Sequence, residues 1–266
     1  ANSWMLMVGA IGMLSSSLPV QYFLPLIGWR AIFISIAVLT FICIILVVIF
    51  IPEWTSKSIP NEQLNESKLS TVWKNSLFIS LVPMGFFTYG GLFAIQTLWA
   101  GPWMIRVAGY TPLESAQGLF IIYLSMLISF FCWGYFVPKF SKNINDAIRW
   151  LKFGAPINLI VLAIIIYLGP KAGSIHWAIF IVSSIFLSLA HPAVGMAFSL
   201  SNAGKALTSF NLLLFIGAFF MQWVMGLIID AGMSLNLSEI NSFKLAMIFV
   251  LITSLFSYLF FIIKKK

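Results

Sequence analysis

Long apolar runs separated by short polar gaps dominate this chain of 266 residues. A helix needs about 20 apolar residues to cross the hydrocarbon core of a bilayer, and the runs reach this length. They do not alternate apolar with polar positions, which argues against the strands of a barrel and favours helices with internally paired backbones. The eight predicted spans are 4–24, 30–51, 76–100, 113–137, 151–168, 176–199, 206–229 and 243–263. The predicted fold is therefore an all-α polytopic membrane helical bundle.

Charged residues are too scarce in this chain to cover a surface that faces water. They make up 8% of the residues, against 61% hydrophobic residues, whereas a soluble domain carries about 25% charged residues. A formal net charge of +8 on a soluble protein would suit nucleic acid, but these basic residues lie in the gaps between apolar runs. We therefore predict the lipid bilayer, and no nucleic acid, as a partner.

The basic residues are unevenly divided between the two sides that eight alternating spans define. Four of the fifteen Lys and Arg residues, Arg30, Arg106, Lys171 and Lys244, fall on one side. The eleven on the side of the chain ends are Lys57, Lys68, Lys74, Lys139, Lys142, Arg149, Lys152, Lys205, Lys264, Lys265 and Lys266. Because cytoplasmic gaps carry an excess of Lys and Arg, both ends are predicted to be cytoplasmic in a cell inner (plasma) membrane.

One polar stretch, residues 52–74, divides the predicted spans into two followed by six. It predicts a cytoplasmic linker between residues 1–51, the last two helices of an N-terminal bundle, and residues 75–266, a C-terminal six-helix bundle. The chain begins at Ala1 without a methionine, so we expect that residues preceding it are missing.

Three segments carry a resemblance to a known family. They are Gly28-Trp29-Arg30-Ala31-Ile32-Phe33, then Gln96-Thr97-Leu98-Trp99-Ala100-Gly101-Pro102-Trp103 continuing to Gly109 and Tyr110, and Asn211-Leu212-Leu213-Leu214-Phe215 with Gly217, Gln222, Gly226 and Asp230. They resemble the connection of helices five and six, the junction of helices seven and eight, and helix eleven of the major facilitator superfamily. The resemblance implies a partial carrier fold, helices five to twelve. It also implies a secondary active transporter of a small solute that works by alternating access and is monomeric at full length.

Polar side chains within the predicted third span repeat at helical spacing. Tyr89, Phe93, Gln96 and Ala100 are separated by four, three and four residues and would share one face. Polar groups inside a span are costly and usually face an interior or an aqueous path, so Tyr89 and Gln96 are candidates for substrate binding. Gly90 and Gly91 lie on the same helix and are predicted either to let it bend as a gate or to let neighbouring helices approach closely.

The predicted sixth span contains His191, the one ionisable side chain placed well inside a span. Its ordinary pKa of roughly 6.5 allows proton exchange near neutral pH, so proton-coupled transport is one option that the pattern leaves open. Ser188 shares its stripe as a further substrate-binding candidate, and Pro192, which interrupts backbone hydrogen bonding, is a gating candidate. The alternative is a neutral histidine bonded to a neighbouring carbonyl.

The predicted seventh span carries two amides, Asn211 and Gln222, on one face. Such amides can bind a polar solute or can bond neighbouring helices together. Arg106, at the outer end of the third span, is predicted either to attract anions to an outer vestibule or to contact lipid headgroups. All seven acidic residues lie outside the middle of the spans, so the sequence assigns no carboxylate proton relay.

No arrangement of residues that indicates catalysis, a metal site or a cofactor is present in the sequence. The chain has neither His-Glu-x-x-His nor Gly-x-Ser-x-Gly, and its two histidines have no carboxylate near them in sequence. The leading hypothesis is a secondary carrier. A non-transporting membrane scaffold or partner subunit is the main alternative, followed by an intramembrane enzyme and a channel. Small organic anions, sugars and lipophilic drugs all remain open as substrates.

Overall fold

The computed structural model describes residues 2–51, 69–141 and 143–264. Their secondary structure is helical, without strands. The nine helices of this part of the chain are α1 (Asn2–Ser15), α2 (Leu18–Phe50), α3 (Leu69–Lys74), α4 (Ser76–Arg106), α5 (Pro112–Phe140), α6 (Ile144–Leu168), α7 (Ser174–Met196), α8 (Leu200–Ser234) and α9 (Glu239–Lys264). The predicted all-helical, polytopic architecture is confirmed, and most of the predicted linker, residues 52–68, lies outside the described residues.

Seven of the described helices are long and apolar enough to cross a membrane, one fewer than the eight predicted spans. The difference lies in the predicted span 4–24, which is divided between α1 and the start of α2. Hydroxyls cause the interruption, because Ser16 Oγ and Ser17 Oγ donate to the carbonyls of Met13 and Leu14 at 2.8 and 2.7 Å. Such local bonds compete with the helical ladder, and Pro19 at the start of α2 has no backbone N–H to offer.

The predicted connection between the first two spans falls inside α2. Its helical geometry is broken at Gly28, where φ is 74° and ψ is 161°. This left-handed region suits glycine because a Cβ would clash there. No residue of α2 is buried, so its apolar surface is available to lipid or to protein outside the described residues.

Two helices depart from regular α geometry in the middle of their spans. Helix α4 contains two π-helical segments, Met84–Tyr89 and Ile95–Trp99, and α7 contains a 3-10 segment, Ser184–Leu189. A π turn closes its hydrogen bond over five residues and a 3-10 turn over three, instead of the four of an α turn. Residues beyond each segment are therefore rotated away from the face that an α-helical spacing predicts.

The core lies where α4 packs against α8 and α9, and where α5 and α6 pack against α7. Its largest fully buried side chains include Trp103, Trp177 and Phe180. The Trp103 and Trp177 rings meet edge to face at 5.6 Å, and Trp103 Nε1 donates to the Ala172 carbonyl at 3.1 Å. Helix α1 packs along α5, which joins residues 1–51 to the remainder of the bundle.

The start of α5 is held by a capping box that the sequence Thr111-Pro112-Leu113-Glu114 predicts. Thr111 Oγ1 accepts from the Glu114 N–H at 3.2 Å, while the Glu114 carboxylate accepts from the Thr111 N–H at 2.7 Å. Pro112 occupies the first turn, where its missing N–H costs no helical bond. This predicted cap is confirmed.

We expect Thr111→Ala to lower the free energy of unfolding by about 1 kcal/mol, because the Glu114 N–H at the helix start loses its side-chain acceptor. Thermal unfolding in detergent measures the effect. Thr40→Ala is the matched control, since Thr40 Oγ1 bonds only within its own helix, to the Ile36 carbonyl. Equal melting temperatures for the two variants would contradict a stabilising cap.

Candidate functional site

Three of the predicted site residues, each from a different helix, come together in the middle of the bundle. His191 Nε2 of α7 lies 2.8 Å from Asn211 Oδ1 of α8. The ring of Tyr89, from the first π-helical segment of α4, meets the His191 ring edge to face at 5.7 Å between centroids. A carbonyl oxygen only accepts hydrogen bonds, so His191 donates through Nε2, and in the neutral imidazole Nδ1 is left as an acceptor.

Aromatic rings surround this cluster of Tyr89, His191 and Asn211, which we call the polar triad. The Phe210 ring lies 5.3 Å from the His191 ring, and Phe93 meets Phe215 at 6.2 Å one turn further along α4 and α8. His191 is half-buried, whereas Asn211 is exposed on the face of α8 that also exposes Phe215. A polar group thus lies within an apolar, aromatic wall that is open on one side.

Ser188 and Pro192 flank His191 but do not join the triad through a hydrogen bond. Ser188 Oγ donates to the Ile185 carbonyl of its own helix at 2.6 Å, within the 3-10 segment. Pro192 is exposed and follows His191 where the 3-10 turns give way to α-helix. The change in helix geometry therefore lies directly beside the triad.

Gln96 lies away from the triad, although the sequence spacing placed it on the same face as Tyr89. Its side-chain nitrogen is 3.1 Å from the sulfur of Met13 in α1 and 3.1 Å from that of Met126 in α5. Its backbone carbonyl accepts from the Tyr123 hydroxyl at 3.0 Å. The side chain is buried between α4, α1 and α5, at the start of the second π-helical segment.

Gln222 holds α8 to the second half of α4. Its side-chain nitrogen donates to Thr97 Oγ1 at 2.9 Å, and its backbone carbonyl accepts from Trp99 Nε1 at 3.2 Å. Both partners lie in the second π-helical segment. The amide thus makes a helix–helix contact, which is the role that the sequence offered as the alternative to solute binding.

The glycines of α4 make close helix contacts. A Cβ added to Gly90 would lie 2.5 Å from the backbone carbon of Gly217 in α8, and one added to Gly217 would lie 2.2 Å from the Phe86 carbonyl oxygen. A Cβ on Gly91 would lie 2.6 Å from a methyl carbon of Val250 in α9. Gly90 and Gly91 therefore allow α4 to approach α8 and α9 closely, while the π-helical segments provide the irregularity in this helix.

Arg106 at the end of α4 forms an ion pair with Glu239 in the first turn of α9. The Nε–Oε1 distance is 3.7 Å, and the two side chains are 62% and 42% exposed. An ion pair this exposed contributes little to stability. It links the end of α4 to the start of α9.

Several residues of these contacts were not predicted from the sequence. Met13, Met126 and Tyr123 surround Gln96, and Thr97 with Trp99 binds Gln222. Methionines do not stand out in the sequence, because they are apolar residues within apolar runs. The positions of Thr97 and Trp99 depend on a π turn, which the sequence did not predict. The only sequence signal for these contacts was a polar residue close to an aromatic residue within a span, as in Thr97 and Trp99.

Comparison with known protein families gives a match over most of the chain. The family model described as Major Facilitator Superfamily matches residues 1–220. No curated protein and no solved structure matches the chain.

Proposed function

This chain belongs to the major facilitator superfamily, whose members are secondary transporters of small solutes and not enzymes, and we propose that it works by alternating access with the polar triad as one wall of its solute site. Seven apolar helices and the family assign it to a membrane that it crosses several times. In alternating access, helix bundles rock about a site near the midplane and expose it to each side in turn.

The observation that carries this proposal is the meeting of Tyr89, His191 and Asn211 from three separate helices. The 2.8 Å contact between His191 and Asn211 satisfies one ring nitrogen and leaves the rest of the imidazole and the amide N–H groups for a solute. A solute would reach these three residues from the exposed face of α8 beside them. Polar contacts within an aromatic surrounding are typical of small-molecule sites.

We assign the other predicted residues to supporting roles. Gln96 couples α4 to α1 and α5, and Gln222 closes the second half of α4 on α8. Helix α4 then acts as a gate that bends at its two π-helical segments. Its close contacts with α8 at Gly90 and with α9 at Gly91 are kept during this motion. Ser188 and Pro192 set the orientation of His191 through the 3-10 turns of α7.

His191 is our candidate for the group that couples transport to protons. It is the imidazole of the triad, and imidazole exchanges protons in the physiological range. Protonation would turn Nδ1 from an acceptor into a donor, which changes what the triad can bind. The full-length protein is proposed to act as a monomer.

The function is tested by solute uptake into proteoliposomes that contain the full-length protein. Radiolabelled lactate, radiolabelled glucose and ethidium represent the three substrate classes that the sequence leaves open. A carrier gives saturable uptake that is accelerated by the unlabelled solute on the far side. Uptake that rises linearly and lacks this acceleration indicates a channel, and a stoichiometric copurifying subunit without any uptake indicates the scaffold alternative.

We propose further that residues 52–74 form a cytoplasmic linker between two bundles, at 1–51 and 75–266, in a cell inner membrane. Lys57 and Lys139 are then expected on the same, cytoplasmic side, because the excess of basic residues lies there. Cysteines placed singly at these positions, in a background that lacks Cys43 and Cys132, should react with an impermeant thiol reagent only after the cytoplasmic face is opened. Lys171→Cys is the control for the other side, and reaction of Lys57→Cys and Lys139→Cys on opposite faces would refute this topology.

A further inference from the structure

An apolar cavity of about 370 Å³ lies between α5, α6 and α7, separate from the polar triad. Helix α5 lines it with Ser129, Cys132, Trp133 and Phe136, α6 contributes Trp150, and α7 contributes Phe186 and its neighbours. Few polar groups face it, so ordered water would find too few hydrogen-bond partners there. A space of this size in a close-packed bundle calls for an apolar occupant.

The walls of this cavity are held in place by aromatic packing. Phe186 meets Trp133 edge to face at 5.1 Å and stacks on Trp150 at 6.3 Å with an interplanar angle of 16°. Behind it, a Cβ on Gly154 would lie 2.2 Å from the Cβ of Phe186, so α6 and α7 touch there. Phe186 is therefore held on two sides, and this wall of the cavity is fixed by packing.

The end of the cavity at Ser141 and Trp150 lies beside the most basic connection of this bundle. Between residues 139 and 152 the sequence has four basic residues, Lys139, Lys142, Arg149 and Lys152, and one acidic residue, Asp146. Lys139 and Arg149 are exposed, and Lys139 Nζ lies 3.8 Å from the centre of the Tyr135 ring. Neither lines the cavity, but Lys139 is two residues from the lining residue Ser141 and Arg149 is next to the lining residue Trp150. An apolar interior with basic residues beside one end complements an anionic phospholipid.

We propose that an anionic phospholipid binds here, with an acyl chain in the cavity and its phosphate at the rim that Lys139 and Arg149 define. Basic sites between transmembrane helices on the cytoplasmic side bind such headgroups, and each Lys or Arg near the surface contributes to the attraction. Trp150 lies in the second turn of α6, and tryptophan near the end of a membrane helix favours the zone between hydrocarbon and headgroups. The lipid fills the space between α5 and α7 and therefore ties their ends together.

The chain's two cysteines provide the test, since both are exposed but only Cys132 lines the cavity. Delipidated full-length protein in detergent is titrated with phosphatidylglycerol, with phosphatidylcholine of the same acyl chains, or with inorganic phosphate, while maleimide alkylation of each cysteine is followed by mass spectrometry. Phosphatidylglycerol is expected to slow alkylation of Cys132 and to leave Cys43, on α2, unchanged. Phosphatidylcholine should require a higher concentration for the same protection, and phosphate alone should not protect.

Variants of the basic residues test the contribution of the headgroup separately from that of the acyl chain. Each of Lys139→Gln and Arg149→Gln is expected to raise the phosphatidylglycerol concentration for half-protection about fivefold and to leave phosphatidylcholine unchanged. Lys171→Gln, an exposed lysine at the opposite end of α6, is the control and should change neither. Equal protection by the two lipids, protection by phosphate alone, or protection of Cys43 to the same extent as Cys132 would each overturn the proposal.

A second measurement keeps the test independent of alkylation. Cys132→Phe fills the cavity, and Cys43→Phe adds the same ring to an exposed helix face. Native mass spectrometry is expected to find bound phosphatidylglycerol on the Cys43→Phe protein and at least tenfold less on the Cys132→Phe protein. Equal retention of phosphatidylglycerol by both variants would place the lipid outside the cavity.

Discussion

His191→Ala is expected to lower solute uptake by the full-length protein at least about tenfold, because Asn211 loses a partner and the solute loses the imidazole. Asn211→Ala should have a similar effect, since the same 2.8 Å contact is removed from the other side. The double variant is expected to lose little more than either single variant, because two residues of one network are not additive. Uptake into proteoliposomes, normalised to the reconstituted protein, measures all three.

His176→Ala is the control for this prediction. His176 lies in the first turns of α7, away from the triad, and is half-buried like His191. Normal uptake by His191→Ala and Asn211→Ala, with or without an effect of Gln96→Ala, would remove the triad from the solute site. A loss in His176→Ala equal to that in His191→Ala would mean that the effect is on folding.

The proposed role of His191 in proton coupling is measured in the same assay as accumulation of solute driven by a pH gradient. His191→Gln keeps a side-chain N–H for Asn211 but cannot carry a proton near neutral pH. We expect it to exchange labelled for unlabelled solute and to lose accumulation driven by a pH gradient. Gradient-driven accumulation at the normal level in this variant would assign proton coupling to another group.

Gly217→Ala is expected to lower the free energy of unfolding by about 1–3 kcal/mol, because its Cβ would overlap rigid backbone. That Cβ would lie 2.2 Å from the Phe86 carbonyl oxygen and 2.9 Å from two further backbone atoms of Phe86. Backbone cannot rotate aside as a side chain can, so α4 and α8 must separate. The separation would also shift Tyr89 relative to Asn211, and uptake should fall with the melting temperature.

Gly204→Ala on the same helix is the matched control. No atom lies within 4 Å of a Cβ at that position, so the change adds only the helix preference of alanine, about 1 kcal/mol in favour of the folded protein. Thermal unfolding in detergent, followed by size-exclusion chromatography, compares the two variants. Melting of Gly217→Ala at or above the temperature of Gly204→Ala would show that α4 and α8 are not in close contact.

The sequence alone was sufficient to determine the class of this protein, because the length and polarity of a membrane helix are local properties. Runs of about 20 apolar residues predict spans wherever they occur, and the α5 cap was visible in the four residues from Thr111 to Glu114. It was also predictable that His191 and Asn211 would each find a polar partner, since a polar side chain inside a span needs one.

Only the tertiary structure decided which polar residues face one another. Gln96 and Tyr89 share a face at α-helical spacing, yet Gln96 contacts Met13 and Met126 whereas Tyr89 contacts His191. The close approach of Gly90 to Gly217 depends likewise on two helices that are distant in sequence. A π turn, a helix contact and a cavity each depend on how neighbouring helices pack, and one helix's own residue pattern does not contain that information.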